Sequence, residues 1–218
     1  MKKILIAVLL IVLVTTFVFS QNGTIRELTG DVELKHAGSS AFVTASAGDV
    51  ITPNTIVSTG FRSTTVIAVG NSLITVRPLT RLSFAEIQTA QADENVNVNL
   101  QAGRVRVEVT PPAGTRTNLT VQSPSATASV RGTIFEMDME NMSTVEGKVI
   151  LTGTSGLGVI VTEGNSSSTK VDGTIADPAE IAALSTQPQS PVGTPPPSLI
   201  TTTTETSTGN MDFSFTYH

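Results

Sequence analysis

Cysteine is absent from the 218-residue sequence, which removes disulfides, thiolate metal sites, a thiol nucleophile and a lipidated N-terminal cysteine together. Aromatic residues are almost as scarce. There is no tryptophan and one tyrosine, Tyr217, beside eight phenylalanines, so an exposed aromatic platform for sugar rings is hard to build. The two histidines are His36 and the terminal His218, and a nucleophilic triad would have to rest on His36 with an unidentified serine. Charge is thin and unblocked: 13 Lys and Arg against 18 Asp and Glu leave a net −5, with no basic stripe to track nucleic acid or anionic lipid. No P-loop, dinucleotide fingerprint or zinc spacing occurs. Valine, threonine, isoleucine and serine abound instead, and β-branched side chains of restricted rotamer freedom suit a pleated, half-buried surface.

The chain begins with Met1-Lys2-Lys3 and an apolar run from Ile4 to Phe19, a signal-peptide pattern with cleavage expected after Ser20. The competing reading is an uncleaved anchor, because the run is near the lower limit for spanning a bilayer. Either way only three residues precede the run, so the chain beyond Ser20 is expected outside the cytoplasm, with no membrane insertion once the segment is cleaved.

From Thr24 onward, short segments alternate apolar and polar residues between glycines: Thr24–Leu28, Gly30–Leu34, Phe42–Thr44, Gly48–Ile51, Ile56–Gly60, Thr65–Val69, Leu73–Val76 and Leu79–Ile87. A period of two broken by Gly, Asn, Asp or Pro marks half-buried strands joined by tight turns. Ala90–Glu94 reads as a polar loop, after which Val96, Val98 and Leu100 alternate with Asn97 and Asn99. One unit recurs: Gly30-Asp31-Val32, Gly48-Asp49-Val50, Gly103-Arg104-Val105 and Gly147-Lys148-Val149. Its spacing is irregular, so there is no fixed-period array, but reuse of one turn-plus-strand corner suits a β-solenoid or a wrapped sandwich.

The segment Ser123–Glu136 is expected to be a central crossing piece, with small residues leading into Val130-Arg131-Gly132-Thr133 and a strand that puts Phe135, Met137 and Met139 in the core. Asn165–Ser168 reads as a turn and Lys170–Asp172 as a last short strand. Asp177-Pro178-Ala179-Glu180 opens a short helix, with Asp as N-cap and Pro at the first helical position. Prolines, threonines and serines then dominate, so residues 186–208 are expected to be a disordered linker. Met211–Tyr217 alternates again, either a strand able to add to a sheet edge or a frayed end.

These residues together resemble the FecR domain, the extracytoplasmic module of regulators that relay iron-siderophore signals and of many exported bacterial proteins. The matching motifs are Ala47-Gly48-Asp49-Val50-Ile51, Ser58-Thr59-Gly60 with Ser63, Gly103 within Leu100–Val107, and above all Ala126–Phe135 followed by Glu146-Gly147-Lys148-Val149. The likeness extends from Gly23 to Asp172. It implies an all-β domain that binds protein and has no catalysis of its own. The regulators carry a cytoplasmic anti-sigma segment before a membrane helix, whereas only Met1-Lys2-Lys3 precede the apolar run, so direct control of a sigma factor is not expected.

The expectations are therefore an all-β fold, a β-solenoid-like stack of short strands or alternatively a wrapped β-sandwich, with one short C-terminal helix. Residues 1–20 form the signal segment, 21–175 the FecR-like domain, 176–185 the helix and 209–218 a strand-like end. The expected function is an exported, non-catalytic module of the cell envelope, periplasmic or at the cell surface, in envelope sensing or scaffolding. It would bind another envelope protein and need no cofactor or metal; the alternative is a carbohydrate or cell-wall binding module. The candidate residues are Val130, Arg131, Gly132, Thr133, Phe135, Glu146 and Gly147. For Arg131 the favoured role is structural, a buried guanidinium satisfying carbonyls or a carboxylate such as Glu146 or Glu86; the other role is partner contact. Asp31 and Asp49 read as turn residues rather than paired catalytic or calcium-binding carboxylates.

Overall fold

The computed structural model describes residues 22–90 and 93–186; the apolar head, the segment read as a linker from Gln187 on and the terminal strand-like segment lie outside the described residues. The chain starts in one sheet with β1 (Gly23–Thr29), crosses to a second for β2 (Val32–Lys35) and β3 (Val43–Thr44), returns for β4 (Val50–Ile51) and crosses again for β5 (Ile56–Thr59). It then lays strands down by turns. β6 (Thr64–Val69) and β7 (Ser72–Val76) join the first sheet, β8 (Arg81–Ala90) and β9 (Asp93–Ala102) the second, and β10 (Val105–Val109) the first. β11 (Arg116–Gln122) and β12 (Ala126–Val130) go to the second, β13 (Ile134–Met137) and β14 (Asn141–Glu146) to the first, β15 (Lys148–Gly153) and β16 (Gly158–Thr162) to the second, and β17 (Ser166–Ser168) to the first. A short helix, α1 (Pro178–Thr186), comes last.

The order in the first sheet is β17-β14-β13-β10-β7-β6-β1-β4, and in the second β16-β15-β12-β11-β9-β8-β5-β2-β3. The strand pairs are antiparallel apart from β9 and β11, which run parallel because β10 intervenes in the other sheet. Among the described residues, all-β with one short helix holds. Of the two arrangements the sequence leaves open, the two open sheets agree with the wrapped sandwich.

Alternation along the strands gives each sheet one buried face, as a side-chain period of two requires. In the first sheet Ile67, Ile74, Val107 and Phe135 stand opposite one another in a row across four strands. In the second, Phe84, Val98, Val121, Ala128 and Leu151 form the corresponding row. All nine are buried and belong to one hydrophobic cluster. The small residues ahead of the Arg-Gly pair thus have a packing role: Ala126 and Ala128 point inward from β12, while Thr127 and Ser129 point outward.

Each copy of the recurring glycine unit lies where the chain changes sheets, between β1 and β2, β3 and β4, β9 and β10, and β14 and β15. Gly103 shows why the residue is needed. Its φ is 86°, and a Cβ there would stand 2.3 Å from Thr80 Oγ1 and 2.5 Å from Thr80 Cα. Thr80 Oγ1 donates to Arg104 O (3.1 Å) and accepts from Arg104 N (2.9 Å), so two crossings are pressed together.

Several local expectations are corrected. The segment Ser123–Glu136 does cross, from β12 in the second sheet to β13 in the first, but each of those strands is third from an edge rather than central. Ala90–Glu94 is not a free loop: β8 runs to Ala90 and β9 begins at Asp93, with Glu94 buried. Ser166–Ser168 is an edge strand paired with β14, and the inward Ser167 donates to Ala176 O at 2.6 Å. Lys170–Asp172 is instead a turn, closed by Lys170 N donating to Thr174 O (2.8 Å), with Gly173 at φ 78°. At α1, Asp177 Oδ1 accepts from Ala179 N at 2.8 Å, the cap the sequence suggests.

Candidate functional site

The residues singled out in the sequence gather at one rim of the sandwich, where β12 passes to β13 and β14 passes to β15. Val130, Thr133 and Phe135 are buried. Thr133 Oγ1 donates to Lys148 O (3.0 Å), and Thr133 O accepts from Val109 N (3.0 Å), tying the first crossing to β15 and β10. Gly132 has φ 114° and Gly147 φ 84°, and a Cβ on Gly147 would lie 3.0 Å from Gly132 O. The two crossings are stacked closely enough that glycine serves both. Glu146 is exposed and stands opposite Ile134, beside a bulge at Ile134/Phe135.

Arg131 departs from the favoured expectation. It is exposed rather than buried, its Nε donates to Asn118 Oδ1 at 3.0 Å, and it makes no ion pair with Glu146 or Glu86. The reason lies in the register: Val130 completes the inward alternation of β12 and Thr133 turns inward next, so Arg131 and Gly132 between them lie past the rim, exposed to solvent.

Arg131 borders two grooves. One, about 370 Å³, is lined by Val109, Pro111, Gly132, Ile134 and Glu146. The other, about 550 Å³, lies on the outer face of the second sheet between Asn118, Thr120, Ser129, Lys148, Ile150 and Ile160. Ile150 and Ile160 are directly paired across β15 and β16 and are 51% and 60% exposed. Sequence reasoning missed this pair. Its signal was Gly158–Thr162, an uncharged strand whose apolar residues do not alternate.

The opposite end of the sandwich carries ion pairs instead. Arg104 Nη2 lies 2.9 Å from Asp138 Oδ2, and Arg77 Nε 3.3 Å from Glu136 Oε1, beside a groove of about 590 Å³. Burial pushes the Asp138 carboxyl up. Hydrogen bonds from the Glu140 and Asn141 backbone, from Arg104 and from the Asn141 amide outweigh it, and the carboxyl stays below its usual range. Asp49 Oδ2 accepts from Ser46 N (2.8 Å) within its own turn. Asp31 lies just past the last residue of β1, whereas Asp49 O accepts from Ile25 near that strand's start, so the two carboxylates belong to opposite ends of one strand. His36 is exposed after β2. Among the described residues no helix is long and apolar enough to cross a membrane.

Comparison with known proteins bears on this rim. A comparison with curated proteins finds no match. Two crystal structures of a protein from Parabacteroides distasonis, described provisionally as an anti-sigma factor, are similar at 14% identity and TM-score 0.45; they cover 59% of this chain and 62–63% of their own. The chain therefore spans less than two thirds of those proteins. The family model described as FecR protein matches residues 55–167, more than half of the sequence, from the start of β5 into β17 and across both crossings of the rim. The chain belongs to the FecR protein family.

Proposed function

We propose that this chain is an exported, non-catalytic module of the bacterial cell envelope that binds another envelope protein in sensing or scaffolding. The observation that carries the reading is the division of labour within the signature segment. Val130, Thr133 and Phe135 go to the core, while Arg131 stands exposed between two grooves. A guanidinium with one amide contact keeps most of its five donors available to a partner. Membership of the FecR family supports a regulatory role in the envelope.

A second reading, binding of a cell-wall polymer, is favoured by one feature. Past Asp93 and Arg116, the outer face of β9, β11 and β12 is mainly amides and hydroxyls: Asn95, Asn97 and Asn99 stand opposite Asn118, Thr120 and Gln122, with Thr127 and Ser129 on the next strand. Capture from solubilised envelope separates the two. Recovery of one protein in stoichiometric amount supports the first reading. Retention on purified cell-wall polymer, with no protein recovered, would transfer the case to the second.

A further inference from the structure

The outer face of the second sheet changes character between β12 and β15. Past Asp93 and Arg116, which stand opposite each other at one end, the outward residues of β9, β11 and β12 are mainly amides and hydroxyls. On β15 and β16 it presents the exposed Ile150–Ile160 pair, flanked by Lys148 opposite Thr162 and by Arg131 at the rim. Two branched side chains exposed side by side leave about half of their apolar surface in water. Neither Lys148 nor Arg131 lies within an ion pair of the described residues, and no carboxylate lines the groove. The site therefore combines an apolar floor with two positive charges at one end that no ion pair engages.

We propose that this groove docks an extended segment of a partner protein that presents a branched apolar side chain to Ile150 and Ile160 and a carboxylate to Lys148 and Arg131. The proposal rests on the binding-module reading and deepens it by naming the surface and the chemistry of the partner. Charge complementarity selects this occupant over a second copy of the chain. In a two-fold pair the same patch faces itself, so the Lys148 and Arg131 of one copy would approach a groove that offers no carboxylate in return. An acidic and apolar segment satisfies both halves of the site. In an extended chain, side chains two residues apart share a face, so the matching pattern is a branched apolar residue, any residue, then Asp or Glu.

The test uses the purified protein with methyl-labelled isoleucine and two synthetic peptides. One alternates valine and threonine with a single glutamate two places after a valine; its twin carries lysine in place of the glutamate. The expected result is that the glutamate peptide shifts the Ile150 and Ile160 methyl signals and leaves those of buried Ile67 and Ile74 in place. It should bind about fivefold more tightly than its twin at low salt, the order expected for an exposed ion pair. Lys148→Glu should reverse the preference, and Ile160→Asn should remove binding while the spectrum stays that of a folded protein. Glutamate and lysine peptides that bind equally, or shifts confined to other isoleucines, would overturn the proposal. So would a concentration-dependent dimer that Ile160→Asn dissociates, because the occupant would then be a second copy. Capture of an envelope protein that survives both substitutions would also overturn it, while leaving the binding-module reading in place.

Discussion

Replacing Glu94 by alanine should destabilise the protein about twice as much as replacing it by glutamine. Glu94 is 3% exposed, on β9 where the chain has just turned back from β8. Its Oε2 accepts three hydrogen bonds, from Asn71 N (3.1 Å), Asn71 Nδ2 (3.3 Å) and Thr117 Oγ1 (3.1 Å), whereas Oε1 has no partner. The carboxylate thereby holds the β6–β7 turn against β9 and β11, and Gly70 makes room for it: a Cβ there would lie 1.7 Å from Oε1. Alanine leaves the Asn71 N–H and the Thr117 hydroxyl without an acceptor, at about 1–3 kcal/mol each, so the expected loss is about 2–6 kcal/mol. Glutamine keeps one carbonyl oxygen for all three donors, and its amide nitrogen takes the buried place of the unpartnered Oε1. The amide left unpaired there costs about 1–3 kcal/mol, roughly half the alanine penalty. In urea, with a slope of about 1–3 kcal/mol/M, a difference of about 2 kcal/mol between the two variants should place the alanine midpoint about 0.7–2 M below the glutamine midpoint. Coincident midpoints for the two variants would refute this account of the turn.

The same geometry carries three further outcomes. Gly103→Ala should cost at least about 2 kcal/mol in chemical denaturation, since its methyl meets Thr80 backbone at a positive φ. Leu79→Gly at the adjoining crossing should change stability by less than about 1 kcal/mol, because Leu79 is 62% exposed and already held at φ 56°. Acid titration should expose Asp138: its carboxyl is held below the usual range in the fold, so its contribution is present above about pH 4 and is lost as the pH falls below that value. Asp138→Asn should flatten the stability profile in that acid range, and an unchanged profile would contradict the assignment.

Much of the fold was legible because a half-buried strand writes its period into the sequence. Val105, Val107 and Val109 alternate with Arg106 and Glu108, and the structure buries the valines. The repeated glycine unit pointed to corners, and all four are sheet crossings. Pairing partners were not legible: nothing local says that β11 lies beside β9 while β10 joins the other sheet. β17 escaped notice because three serines have no apolar alternation; only Ser167 is buried, bonded to Ala176 O, and nothing in its composition signals that. At the candidate site the motif residues were found, but the environment of Arg131 was inverted. A charged residue between Val130 and Gly132 looks buried in one dimension, and only the crossing between sheets shows that it points off the rim.

The most direct test of the division of labour in the signature segment is the unfolding free energy of Arg131→Ala, measured beside its capture of an envelope partner. An exposed guanidinium with one side-chain hydrogen bond predicts a stability within about 0.5 kcal/mol of the unsubstituted protein, together with loss of capture. A loss of several kcal/mol, with the remaining folded protein still holding its partner, would show that the arginine serves the fold and would contradict the account.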